Sequence, residues 1–453
     1  MRNRFLLTVL GLILTCSTTF ASIESKIEKV IKTSGINPSA VTVSVREVGS
    51  GEKLVNINDS QPMIPASTQK LLTFPVILET LGTDYIFETG FYQLKNGDLH
   101  LKLSADPYFT SSNLKSLIKT LKSNNIKTCK EFYIDDKVID DEEWGEGWQW
   151  DNDLNPLMQR YSVYNMDYNL LILIARATEK GRQADVSLKN FYPITIMNLV
   201  KTGDEDNIKL SRNNNISPDI LKVEGTVATQ VIKTFPVNNP KRYFMLQLDR
   251  FVKDRKLDYY GNYPSKAFVK GSEKLVLGEV KHTIAQTGAD ILKNSNNFAT
   301  ETIYKIAGGK FKNSVGTTDF ANEMFFDYCE KNGLDTSNIR LVDGSGVSKN
   351  NIMTSDFVTA FLVNETKKPN APVLLTLMAK PGEGTLANRM LYFQDKMRAK
   401  TGTLSDVSAI AGYLETKKGN RLAFDIMIND HKMNNVNKKL LEENILRAIF
   451  TDY

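Results

Sequence analysis

Apolar positions repeat with a helical period near the start of the chain: in Ser22–Ser34, Ile23, Ile27, Val30 and Ile31 share one face. "VTVSVREV" alternates instead, "GSGE" supplies a turn and "KLVNIN" returns, which predicts a β-hairpin. "QPMIPASTQKLLTFPVILETLG" then predicts a helix from about Ser67 to Leu81 that stops at Gly82. Pro75 lies inside it, where a proline ring kinks a helix or removes a backbone hydrogen bond.

Residues 86–275 have a different texture. Short alternating segments ("LHLKLSAD", "EFYIDD", "DVSLKN") sit among polar clusters ("KTGDEDN", "SRNNNISP"). Two amphipathic helices are expected near 113–122 and 168–179. Beyond this region the first texture returns. "NSNNFATETIYKIAGG" and "DFANEMFFDYCEKNG" read as helices, "SAIAGYLET" and "RLAFDIMIN" as a hairpin, and "NKKLLEENILRAIF" as a closing amphipathic helix. The two ends therefore predict one discontinuous α/β (α+β) domain, residues 22–85 and 276–453. A strand-rich unit, 86–275, is inserted into it, with a smaller unit nested near 183–235.

Composition adds little to this, and the N-terminus adds more. Of 453 residues, 41% are hydrophobic and 24% charged, as in an ordinary globular protein. "MRNRFLLTVLGLILTCSTTFAS" has two arginines, a short apolar run and a small-residue site ending at Ala21. That is an export signal over residues 1–21 and implies the periplasm or cell envelope. Cys16 opens the lesser alternative of a lipid-modified N-terminus with peripheral membrane association. Cys129 and Cys329 lie in segments assigned to different domains and are expected to stay unpaired. The net charge of +5 and the three histidines support neither nucleic-acid binding nor a metal site.

Candidate chemistry starts from short motifs. Ser67 and Lys70 stand at i and i+3, on one face of the predicted helix. A buried lysine loses proton affinity and can then activate a serine hydroxyl. The same spacing occurs at Ser112–Lys115, and Lys-Thr-Gly occurs twice, at Lys201–Gly203 and Lys400–Gly402. Ser-x-Asn is also repeated, at Ser123–Asn125 and Ser295–Asn297 among others. One set, Ser112/Lys115 with Ser123/Asn125, lies along a single helix, whose rise separates its ends by roughly 16 Å. Those groups cannot meet at one carbonyl. Ser67/Lys70, Ser295/Asn297 and Lys400 are far enough apart in sequence to converge.

Ser-x-x-Lys, Ser-x-Asn and Lys-Thr-Gly in this order resemble the signature of penicillin-binding proteins and serine β-lactamases. "SNNFATETI", "DGSGVSKNNIMT", "GEGTLANRM" and "KTGTLSDVSAIAGYLET" are similar to the low-molecular-mass class C penicillin-binding proteins, which are D-Ala-D-Ala carboxypeptidases. "LSADPYF", "GWQWD" and "RYSVYNMDYN" resemble their inserted domain, so the likeness covers nearly the whole mature chain. It implies a transpeptidase-like domain, an antiparallel sheet flanked by helices, that acts on peptidoglycan peptides through an acyl-enzyme and is blocked by β-lactams, with no cofactor. DD-endopeptidase activity is a possible companion; a β-lactamase or an inactive wall-binding protein is the alternative. By resemblance Ser67 is the nucleophile and Lys70 its base. Ser295 and Asn297 relay the proton and hold the substrate amide. Lys400 and Thr401 bind the terminal carboxylate, and the amides of Ser67 and Thr403, beyond Gly402, hold the oxyanion. Lys349 is expected to meet the carboxylate on the substrate's side chain, and Asp151 its ammonium, with Trp150 packing the stem. Three features depart from the family: Asp406 stands where Gly is usual, Lys349 where Arg is common, and Pro75 interrupts the nucleophile helix.

Overall fold

Strands from both ends of the chain alternate in burial and assemble one sheet. The computed structural model describes residues 22–213, 217–259 and 261–453; the export signal and Cys16 lie outside the described residues. The sheet runs in the order Met397–Thr403, Val407–Glu415, Arg421–Asn429, Val41–Glu47, Lys53–Ile57, antiparallel throughout. Val41 pairs with Ile428 and Val45 with Phe424, so N-terminal and C-terminal strands lie side by side at the centre. One face, with Val43, Phe424 and Ile426, is covered by the helices Ile23–Thr33 and Asn435–Asp452 through Ile27, Ile31, Leu441 and Ile445. The hairpins and the terminal helices match the residues predicted for them.

The other face turns Thr42, Ser44 and Asp425 toward the helix Ser355–Glu365. Thr42 shares a hydrogen bond with Ser355 (2.6 Å) and Ser44 one with Thr359 (2.8 Å). Asp425 sits opposite Ser44 in the register and is fully buried.

The helix Lys70–Leu81 continues through Pro75 and ends at Gly82, whose φ of 91° reverses the chain. A 3-10 turn, Ala66–Gln69, precedes it, so Ser67 lies just before the α-helix rather than in it. Behind it pack the helices Ile284–Asn294, Asn297–Lys312 and Thr318–Lys331. Among the described residues no helix is long and apolar enough to cross a membrane.

The inserted region carries its own sheets. Glu273–Thr283, Ile86–Leu94, Leu99–Lys102 and Phe132–Asp135 form one. The first of these strands spans the 275/276 step and pairs with Ile86–Leu94 along its length, so it continues the inserted sheet up to Thr283. Thr195–Thr202, Asn207–Asn213 and Ser217–Val227 form another, inside the span 183–235. The helix expected near 168–179 is instead a strand, Leu170–Arg176, between Gln230–Pro236 and Asp185–Leu188. "LLILIAR" alternates in burial and is rich in apolar side chains that fit a pleated surface; pairing on both sides overrides its helical spacing. Cys129 belongs to the insertion and Cys329 to the helix Thr318–Lys331; burial pushes both thiols up to about 12.

Burial also pushes the Asp425 carboxyl up to about 8, with the Ser355 hydroxyl pulling the other way. The folded protein therefore holds a proton there that the unfolded chain releases above its ordinary carboxyl range. Stability contributed by this group falls as pH rises from about 4 toward about 8. Asp425→Asn should remove that loss: its unfolding free energy should exceed wild type by at least about 1 kcal/mol at pH 8 and by less at pH 5. Urea unfolding at the two pH values measures this; a difference that does not depend on pH would contradict it.

Candidate active site

The turn before the Lys70–Leu81 helix is held by two close backbone approaches. Ala66 has φ 48°, a left-handed conformation that costs a non-glycine residue of order 1 kcal/mol or more. A Cβ on Gly346 would fall 2.0 Å from the Ala66 carbonyl oxygen. On the other side, a Cβ on Gly402 would fall 2.8 Å from the Pro65 oxygen and 3.0 Å from the Ser67 nitrogen. Only glycine lets the Met397–Thr403 strand lie this close to the serine turn. Gly402 is thereby set against the Ser67 amide.

Lys70 Nζ is fully buried and surrounded by three oxygens: Ser67 Oγ at 2.9 Å, Asn297 Oδ1 at 2.6 Å and the Ser345 carbonyl at 2.6 Å. Two of these are acceptors only. The Asn297 orientation is set by its other end, where Nδ2 donates to the Leu157 carbonyl (2.9 Å). The third neighbour, the Ser67 hydroxyl, can donate or accept. A neutral amine satisfies this arrangement, with two N–H groups to the fixed acceptors and its lone pair toward the Ser67 O–H. Burial drives the proton off Lys70, bringing it down to about 7, while Glu301 and Asp343 oppose the shift.

Those two carboxylates organise the loop that supplies the Ser345 carbonyl. Glu301, one turn after Asn297 on the same helix face, accepts from the amides of Gly344 (3.1 Å) and Ser345 (2.8 Å). Asp343 accepts from the amides of Gly346 and Ser348 (both 2.7 Å), from Asn351 Nδ2 (2.8 Å) and from Trp148 Nε1 (2.9 Å). Gln69 Nε2 donates to the Asp343 carbonyl (2.5 Å). Burial raises the Glu301 carboxyl, and Asp343 raises it further.

Ser295 lies two residues before Asn297, in the left-handed region (φ 65°) at the end of the Ile284–Asn294 helix. Asp290 clamps this turn: it accepts from Asn294 (2.9 Å), Asn296 (2.6 Å) and, from the insertion, the Tyr108 hydroxyl (3.0 Å). Lys400 is fully buried, with Nζ donating to the Thr401 carbonyl (2.7 Å). Burial and the Lys70 charge hold its amine well below the ordinary lysine range. Thr401 Oγ1 donates to Thr385 Oγ1 (2.7 Å). The second tripeptide is elsewhere: Lys201 is exposed on the Thr195–Thr202 strand of the insertion. Ser112 and Lys115 are exposed on the helix Ser111–Ser123.

A cleft of about 610 Å³ opens beside Asn297 and Thr403. Lys349 lines it, with Nζ bonded to Asp406 Oδ2 (3.0 Å) and Ser405 Oγ (3.2 Å). Two of the three departures from the family pattern thus face each other, and Lys349 holds the Asp406 carboxyl low. The segment "GWQWDND" borders the cleft, but through Gly147, Gln149 and Asn152. Trp150 is 74% exposed and Asp151 is exposed, and neither lines the cleft. In the one-turn 3-10 helix Trp150–Asn152 these two side chains turn outward. Glu301, Asp343, Trp148 and Asp290 were not singled out from the sequence. A lone glutamate one turn after Asn297, in an otherwise uncharged helix start, is the signal that could have found the first.

Comparison with known proteins identifies the family. Residues 23–446 match the model of the D-Ala-D-Ala carboxypeptidase 3 (S13) family. The chain belongs to this family. It is therefore a serine-type D-Ala-D-Ala carboxypeptidase of the class C penicillin-binding group. It is 25% identical over 440 residues to the D-alanyl-D-alanine carboxypeptidase of Actinomadura sp., covering 89% of this chain and 80% of the relative. It is 22% identical over 423 residues to the D-alanyl-D-alanine carboxypeptidase DacB of Haemophilus influenzae, covering 88% of each. The crystal structure of penicillin-binding protein 4 from Haemophilus influenzae superposes with a TM-score of 0.81 at 19% identity, covering 94% of this chain and 99% of the other.

Covalent labelling of Ser67 should fall on the acid side of about pH 7, where Lys70 takes up its proton. Glu301→Gln removes a group that favours the charged lysine, so this acid limb should move to lower pH by roughly one unit. Labelling rates from pH 5 to 9 measure it. A limb unmoved in Glu301→Gln would show that Glu301 does not act on Lys70.

Proposed function

We propose that Ser67, Lys70, Ser295, Asn297 and Lys400 carry the carboxypeptidase reaction on peptidoglycan stem peptides. The carrying observation is the buried Lys70 nitrogen 2.9 Å from Ser67 Oγ, with its other two directions taken by fixed acceptors. Ser67 Oγ attacks the carbonyl of the penultimate D-alanine as its proton passes to Lys70 Nζ. The amides of Ser67 and Thr403 receive the oxyanion. The terminal carboxylate is met by Lys400 and Thr401, the only part of the set that requires a cation rather than a neutral amine. The C–N bond breaks, and the leaving D-alanine takes a proton returned through Lys70 and Ser295, while Asn297 holds the substrate amide. Water then hydrolyses the ester on Ser67. A β-lactam would enter by the same first step and remain as the ester. A structure of the Haemophilus influenzae penicillin-binding protein 4 with a β-lactam, similar in fold to this chain (TM-score 0.75), supports that expectation. Cleavage of cross-linked peptides, the endopeptidase reaction, uses the same groups with a longer leaving amine. The basic, apolar, small-residue pattern of residues 1–21 supports action outside the cytoplasmic membrane.

Incubation with benzylpenicillin should add one equivalent of its mass to the peptide containing Ser67, and Ser67→Ala should abolish the adduct. Persistent labelling in Ser67→Ala, or a label on Ser112, would overturn the assignment.

Lys349 is proposed to read a carboxylate on the substrate's side chain, in competition with Asp406. A single lysine serves either partner as a point charge. Lys349→Ala should raise KM about fivefold for a peptide bearing a free diaminopimelate end, and Asp406→Asn should lower it, with penicillin acylation nearly unchanged in both. If acylation changes together with KM, the pair shapes the site instead.

A further inference from the structure

A second cleft, of about 660 Å³, lies in the insertion, outside the site built around Ser67. Its walls come from the helix Ser111–Ser123, the strand Leu170–Arg176 and the helix Pro240–Asp254. Three cations line it: Lys115, Lys189 and Arg250, all exposed. None of them forms an ion pair among the described residues. One carboxylate lines it too, Asp167, but both its oxygens are used. Oδ1 accepts from the Ser111 amide (3.0 Å) and Oδ2 from the Tyr243 hydroxyl (2.8 Å). It ties the floor together and leaves the three cations without a carboxylate partner among the described residues.

Two aromatic rings are held open beside them. Phe191 is 53% exposed and Tyr168 is 39% exposed. Their positions are fixed from beneath. The Phe191 carbonyl accepts from the buried Gln247 (2.6 Å), and the Arg250 guanidinium stacks 5.3 Å from the Phe191 ring centre. Tyr168 sits in a run of three left-handed residues, Asp167, Tyr168 and Asn169 (φ 52°, 56° and 53°), anchored by Asn169 to the Arg160 carbonyl (2.8 Å). Three consecutive non-glycine residues in this region are costly, and the cost is met by buried hydrogen bonds that present Tyr168 at the cleft. Unpaired cations beside exposed rings in a preformed cavity suit an anionic ligand with apolar faces.

We propose that this cleft is a second binding site for the wall polymer, taking the carboxylates of a stem peptide on Lys115, Lys189 and Arg250. This rests on the peptidoglycan reading of the Ser67 site. Its use would be to hold the polymer while a neighbouring peptide reaches the serine, raising the local concentration of substrate ends. Ser112 and Lys115, the serine–lysine pair that has the same spacing as Ser67 and Lys70, then belong to a binding surface.

The test uses the full chain with Ser67 already blocked by benzylpenicillin, the adduct being verified by mass. The blocked protein should co-sediment with purified peptidoglycan sacculi and not with chitin, which has similar sugars but no peptide carboxylates. Lys189→Glu with Arg250→Glu should weaken retention on sacculi about tenfold or more, with the rate of penicillin acylation within about twofold of wild type, which also reports a correct fold. Retention of the double variant equal to wild type would overturn the proposal, as would equal sedimentation with chitin or loss of sedimentation on blocking Ser67. Failure of the penicillin adduct to form would instead count against the Ser67 assignment, and the comparison of the double variant with wild type on sacculi would still decide the cleft.

Discussion

One buried nitrogen constrains everything around it. Lys70 is fully buried, and a buried ammonium without compensation is expensive. The protein supplies oxygen partners on three sides and keeps two carboxylates, Glu301 and Asp343, near enough to be felt but bonded elsewhere. Had either carboxylate contacted Lys70 directly, the lysine would have stayed protonated and useless as a base. Occupying them with the amides of the 344–348 loop prevents this. The same bonds fix the Ser345 carbonyl that Lys70 needs. Base strength and loop shape are therefore one problem with one solution.

The insertion takes part in that solution. Trp148 completes the shell of Asp343, Leu157 orients Asn297, and Tyr108 reaches the Asp290 clamp under Ser295. Behind them, buried Lys305 of the Asn297 helix bonds to Asp140 and the Glu142 carbonyl. Each of these is a hydrogen bond between a side chain of one unit and a polar group of the other. Leaving a buried member such as Lys305 Nζ unpaired costs about 1–3 kcal/mol. The reactive groups thus sit at a joint whose two sides cannot separate without losing several hydrogen bonds, and a large insertion can shape the cleft without loosening the serine.

Spacing made it legible that Ser67, Lys70 and Asn297 come together. Helical geometry alone removed Ser112 and Ser123 as partners, and the helix Ser111–Ser123 forms as that required. The terminal hairpins were legible because their alternation is strong and both of their faces have partners. Leu170–Arg176 was not, since a short apolar run carries both periods and its pairing with Gln230–Pro236 is remote in sequence. Glu301 and Asp343 were hidden for a related reason: their importance lies in which distant amides they bond. Gln149 and Asn152, rather than Trp150 and Asp151, face the cleft because a one-turn 3-10 helix rotates adjacent residues apart, which no composition reveals.

The two Lys-Thr-Gly tripeptides show what a motif lacks on its own. Both lie on strands. Lys201 is on an exposed face, so its ammonium stays in water and gains nothing from position. Lys400 is buried beside a second amine, and both effects weaken its hold on a proton. A carboxylate arriving there would restore that proton and find a desolvated partner, so the attraction is larger than at any surface lysine. Gly402 then matters as much as the lysine. Without a Cβ the strand can close on Pro65 and Ser67, which brings the tripeptide against the serine turn. The two copies differ in the burial of the first residue and the close approach of the third, and both conditions are set by the sheet that the two ends of the chain build together.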